Sequence, residues 1–285
     1  MVTTRSSGRR PLALMGAGAV LSVVIAIGVT VFSVRDDSSG DDQAPKADAA
    51  SEITPVPVSA GVDDTTVVFG SPEFDMFGRR VDVPVVTAGV ALRQHPDQRR
   101  QPDMPGSRVA APAPSNGAGV WQRIFNGPVV RFSTSDGPSG IDGSAAVGFA
   151  RTPQGAALAA EQIYWRTNAN PKDRDLLVRL VDVTPEYLAE YDRLVAEGEV
   201  SDRLPDKLVP LLFASDAFRI ESYSDDFAMI QFARKARETV DGQPTWVGMR
   251  LAVVWRDGDW KLTAVTGDQR VQIDSLRSIE GWTLW

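Results

Sequence analysis

Cysteine is missing from all 285 residues, and histidine occurs once, at His95. The first absence removes disulfides, thiolate nucleophiles and thiolate metal ligands. The second leaves almost no material for histidine-based triads, histidine dyads or zinc sites of the usual types. A basic excess is lacking too, with 30 Lys and Arg against 37 acidic residues. Setting aside the three arginines ahead of residue 34 leaves 27 basic residues facing 37 acidic ones, a net charge of −10. That balance opposes an electrostatic grip on nucleic acid or on anionic lipid headgroups, so no direct nucleic-acid binding is expected of this part. Without cross-links its stability must come from a buried core, and about 165 residues can build one.

One stretch lacks charge altogether. Leu12 to Val34 is 23 residues long and follows Arg5, Arg9 and Arg10. As a helix rising 1.5 Å per residue it would measure about 34 Å, enough to cross a hydrocarbon core of about 30 Å. In lipid the backbone must satisfy its own hydrogen bonds, and a helix does so. Arginines before the run and Asp36, Asp37, Asp41 and Asp42 after it place the tail 1–11 in the cytoplasm and the rest outside the plasma membrane. A cleaved secretory signal is the rival. Its apolar region is shorter, about 7–15 residues, and ends at a small-x-small site. Here the run ends in Phe32-Ser33-Val34-Arg35-Asp36, and Ala47-Asp48-Ala49 lies too far downstream. An uncleaved transmembrane anchor over residues 12–34 is the expectation.

Residues 35–61, rich in Asp, Ser, Ala and Pro, read as a self-repelling stalk. Their aspartates lack the glycine-turn spacing and closing glutamate of a calcium loop. Residues 62–118 read as extended and irregular, with prolines at 84, 96, 102, 105, 112 and 114. An α+β domain is expected over 119–285. Val129 to Ser133 suits a strand, and the glycines at 137, 140 and 143 suit a loop. A phosphate-binding loop would need Lys followed by Ser or Thr at the helix start, and neither is there.

Three helices follow. Thr152-Pro153 supplies an N-cap and a first-turn proline for a helix to about Asn168. Arg174 to Asp182 suits a second, and Thr184-Pro185-Glu186 starts a third that Gly198 stops. From Leu211 the apolar period changes to two, giving strands around Phe218–Ile220, Ala228–Phe232 and Trp246–Arg256. Asp257-Gly258 closes a two-residue hairpin that sets Trp255 opposite Trp260, Val253 opposite Leu262 and Leu251 opposite Ala264.

This order of elements, ending in Val253-Val254-Trp255-Arg256-Asp257-Gly258-Asp259-Trp260-Lys261-Leu262, resembles the nuclear-transport-factor-2-like (cystatin-like) family. The resemblance implies a cone of three helices on a curved four-stranded antiparallel sheet. A short cytoplasmic tail, one span, a stalk and such a domain are similar to inner-membrane scaffold proteins of conjugation and type IV secretion machines. Gly127 to Pro138 and Gly148 to Ala157 resemble proteins encoded in actinobacterial integrative elements. The anchor, the stalk and the lack of catalytic residues lead to the expectation of a non-enzymatic scaffold with no cofactor or metal, and the resemblance implies as its partners the membrane, other envelope or transfer-complex proteins, and further copies of itself. An alternative is a binder of lipid or a small apolar ligand, with a pocket lined by Tyr164, Trp165, Phe232, Trp246 and Trp255. An enzyme of this fold would need a carboxylate–tyrosine pair such as Glu161 with Tyr164, which sit one helical turn apart.

Overall fold

A strand that buries one face and a helix that buries every face need different neighbours, and both occur here. The computed structural model describes residues 69–99, 119–205, 209, 212, 214–264 and 273–285. The expected anchor at 12–34, the expected stalk at 35–61 and the aspartates in it lie outside the described residues. No helix among the described residues is long and apolar enough to cross a membrane.

The chain opens with a small hairpin, β1 (Glu73–Phe74) and β2 (Arg80–Val81). Two further hairpins follow: β3 (Gly119–Arg123) with β4 (Val129–Ser133), and β5 (Gly140–Asp142) with β6 (Ala145–Val147). Part of the glycine-rich stretch read as loop is therefore paired strand. α1 (Pro153–Ala169) begins as its sequence indicates, with Gly155 N–H donating to the Thr152 hydroxyl at 3.0 Å. α2 (Arg174–Leu180) is capped by the Asp173 carboxylate, and α3 (Pro185–Ala196) by Thr184. Between them Val181–Asp182 forms a short strand, β7, where a continuing helix is expected from the sequence.

The remaining strands are β8 (Ala217–Ser224), β9 (Phe227–Val240), β10 (Gln243–Arg256), β11 (Asp259–Thr263), β12 (Ile273–Leu276) and β13 (Thr283–Leu284). They and β7 make a seven-stranded sheet in the order β13-β8-β9-β10-β11-β7, with β12 on the near end of β10. The β11–β7 pairing is parallel and the others are antiparallel, so the sheet is mixed.

This corrects the expected four-stranded antiparallel cone. Strands β8 to β11 are the four legible in the sequence, and the β10–β11 register matches the reading, with Trp255 opposite Trp260 and Val253 opposite Leu262. The added strands have two to four residues each. Segments that short carry no alternating pattern, and only long-range pairing makes them strands.

α1 touches β8 to β11 on the large sheet and β4 and β6 of the small hairpins. Every residue from Pro153 to Asn168 is buried. Such close enclosure suits the small side chains of Ala156, Ala157, Ala159 and Ala160. One side of α1 meets Phe232, Ile230 and Val253 within the main core, and Val81, Trp121, Val129 and Ala214 form a second, smaller one.

Gly155 marks the tightest approach. A Cβ placed there would lie 2.0 Å from the Ala150 carbonyl oxygen, which itself accepts the Trp260 indole N–H at 2.9 Å. Alanine at an open helical position normally stabilises by up to about 1 kcal/mol. Gly155→Ala is expected to do the reverse, lowering stability by about 2 kcal/mol through forced backbone displacement. Denaturant unfolding at constant m-value measures it; a variant as stable as the parent refutes the close packing.

Candidate functional site

The most concentrated set of buried ionisable groups lies where α1, the chain entering β8 and the first hairpin converge. Glu161, midway along α1, is 2% exposed. Both its oxygens are taken by one residue: Ser215 donates its backbone N–H at 3.0 Å and its hydroxyl at 2.9 Å. The same hydroxyl accepts the Trp285 indole N–H at 2.9 Å, while the Trp285 ring packs 4.2 Å from Phe218. A hydrogen-bonded line thus runs from the last residue of the chain to the middle of its most enclosed helix.

Guanidinium groups surround this line. Arg79 bonds Asp75 at 2.8 Å, the carbonyls of Ser215 and Ala214 at 3.3 and 3.4 Å, and approaches Asp216 to 3.5 Å. Arg79 and Arg131 lie 4.6 and 5.0 Å from the Trp121 ring centre. Arg234 on β9 lies 4.5 Å from that of Trp165. Asp216 also accepts the Lys235 backbone N–H at 2.9 Å.

Burial outweighs charge pairing here. It raises the Glu161 pKa, although Arg234, Ser215 and Arg79 pull the other way. Burial likewise raises Asp216 against the opposing effect of Arg79. Arg131 is pushed down to about 10, by burial first and by repulsion from Arg79 second. A raised carboxylate pKa is a common property of a general acid. Glu161, however, spends both oxygens on Ser215 and is enclosed, an arrangement suited to tying segments together. In the suggested Glu161–Tyr164 pair the carboxylate is turned to Ser215.

The five aromatic residues read as pocket lining do not surround one space. Tyr164 and Trp165 meet edge to face at 5.1 Å beside Arg234, and Phe232 is packed into the main core. Trp246 and Trp255 stand nine positions apart on β10. That separation is about 30 Å along a strand, and an odd spacing turns the two indoles to opposite faces. Trp255 packs on Trp260 at 5.2 Å under the Arg151 guanidinium, at the far end from Trp246. Among the described residues, no three His, Cys, Asp or Glu side chains form a metal-binding group. Sequence reasoning missed Ser215, Arg234 and Arg79, which carry no motif and meet only through the fold. Their one signal is an arginine within an alternating strand, at the inward-facing position two after Phe232.

The raised pKa has a consequence for stability. A carboxylate that holds its proton more tightly in the folded chain stabilises fully below its unfolded value of 4.5. That contribution is lost as pH rises through the folded value. Glu161→Gln keeps an acceptor for Ser215 and cannot ionise. Relative to the variant, the parent should therefore lose stability as pH rises above the ordinary carboxylate range, as read by denaturant unfolding across pH. A pH-independent difference would show that Glu161 does not titrate differently on folding. By contrast, Arg234→Met should destabilise the domain increasingly as pH rises and Glu161 ionises, because it removes one of the two cations near the buried carboxylate. Much of that loss should return in the double variant with Glu161→Gln.

Neither a curated protein nor a solved structure matches this chain. One family model does, over residues 82–284, which span the converging segments except Arg79, Asp75 and Trp285. The chain thus belongs to the family described as a domain of unknown function, DUF8175.

Proposed function

We propose that this protein is a single-pass, membrane-anchored interaction protein that works without catalysis, as a scaffold component of a conjugative DNA-transfer complex of the type IV secretion kind. Leu12 to Val34 is the tether, residues 35–61 the spacer, and the DUF8175 domain the part displayed outside the plasma membrane. The observation that carries the non-enzymatic part is the enclosure of Glu161. The buried carboxylate best suited to proton transfer is 2% exposed and fully engaged by Ser215. A group committed in this way braces the domain, and the work falls to its surface.

The tether reading predicts fractionation and topology together. The full chain should sediment with membranes and resist high-salt extraction, whereas a chain lacking residues 1–34 should not. Protease added to intact protoplasts should digest the domain and spare the short tail. A domain protected in intact protoplasts reverses the topology. Cross-linking in the native host followed by purification in detergent tests the scaffold role. Recovery of transfer-complex or other envelope proteins supports it, and recovery of the chain alone counts against it.

A further inference from the structure

On the side of the domain away from Trp255, the far end of the β9–β10 hairpin and the segment 277–284 enclose an open cleft of about 430 Å³. Two of the seven tryptophans line it, Trp246 and Trp282. Both are half-buried, unlike Trp165 and Trp260, which are 3% and 1% exposed. Both are also held in place. Trp246 stands in β10 between Lys235 of β9 and Leu276 of β12. Trp282 donates its backbone N–H to the Ile279 carbonyl at 3.1 Å, and the Arg219 guanidinium lies 4.9 Å from its ring centre. Immobilised aromatic rings with accessible area are costly to leave in water and are favoured contact residues.

The polar lining is mixed in sign and in hydrogen-bonding sense. Arg277 offers donors and Glu280 acceptors, while Gln243 and Ser278 offer both. Arg277 approaches Asp241 only to 3.9 Å, with 77% of its own side chain exposed, so its donors remain available at the rim. Pro244, Ile279 and the exposed Leu284 complete the wall. An anion would need a net positive lining, which Glu280 cancels. An acyl chain would need a closed apolar channel, and this cleft is open and edged with charge. A sugar ring meets both requirements at once: its apolar C–H face covers an indole, while its hydroxyls both donate and accept around the rim.

We propose that this cleft binds a short stretch of neutral glycan, with pyranose faces on Trp246 and Trp282 and hydroxyls on Gln243, Ser278, Arg277 and Glu280. The assignment goes beyond the scaffold role and does not depend on it, since binding is measured on the chain alone.

The test uses the full chain in phosphatidylcholine nanodiscs, labelled with 5-fluorotryptophan and titrated with triacetylchitotriose or maltotriose. Fluorine NMR separates the indoles, and Trp246→Phe and Trp282→Phe assign the two resonances. Saturable shifts confined to those two are expected with at least one trisaccharide. Trp282→Ala should weaken binding by about tenfold or more. Because that change also removes packing, Gln243→Ala, at an exposed position, serves as the second variant. It should weaken binding several-fold with an unchanged unfolding midpoint. No saturable shift with either sugar overturns the proposal. So do shifts spread over the buried indoles, unchanged affinity in Gln243→Ala, or binding of a polyproline peptide in preference to both sugars.

Discussion

Burying a carboxylate in the middle of a helix costs several kcal/mol unless its lone pairs find donors. Glu161 meets that requirement through one residue, Ser215, whose position is set in turn by Arg79 and Trp285. Four points widely spaced in the sequence therefore have to arrive together before α1 can be enclosed. The arrangement couples the first hairpin, the central helix, the start of β8 and the end of the chain. An error at any of them leaves charge or donors stranded in a medium that penalises both. The seven-stranded sheet closes around α1 on that condition.

The N-terminal end of α1 is fixed by different means. Asp259 accepts the backbone N–H groups of Gly148 and Phe149 at 2.6 and 3.2 Å, and Trp260 donates to the Ala150 carbonyl. The Asp257-Gly258 hairpin thereby clamps the loop that leads into the helix. Asp136 adds a second hold, accepting from Thr152 and Ser135 at 2.6 Å each. Beyond Glu161, in the last turn of α1, Arg166 is wholly buried and hydrogen-bonds no carboxylate among the described residues. It bonds Gln162 and the Ser144 carbonyl at 2.9 and 2.8 Å, and burial pushes it down to about 9. Polar side chains inside this domain serve mainly as ties between layers.

The surface carries a different division of labour. Exposed ion pairs such as Arg174–Asp192 and Arg250–Glu221 contribute little energy in water. Tryptophan is partitioned in the same way: Trp165 and Trp260 fill the interior, while Trp246 and Trp282 stand at the cleft. β10 itself carries Trp246 on one face and Trp255, packed on Trp260, on the other.

Local chemistry made much of this domain legible. Thr152-Pro153 and Thr184-Pro185 declare helix starts because a hydroxyl and a missing N–H solve the same end problem. Asp257-Gly258 fixes a hairpin register because its backbone must turn through positive φ at both residues. Alternation over β8 to β11 declares strands because one face is buried and the other is not. The uncharged run gives a tether reading by its length, and the charges flanking it give the orientation, both on residues outside those described. What the sequence left open depends on partners distant along the chain. β7, β12 and β13 are too short to have a period, and Val181–Asp182 continues a helical pattern until Leu262 and Thr263 claim it as a strand. The aromatic residues looked like one pocket because composition carries no direction. Tertiary structure separated Trp246 from Trp255 by the length of a strand and gathered Glu161, Ser215, Arg234 and Arg79 where no motif foretold it. Periodicity and capping are encoded within a few residues, whereas the meeting of buried charges is decided only when the whole chain closes.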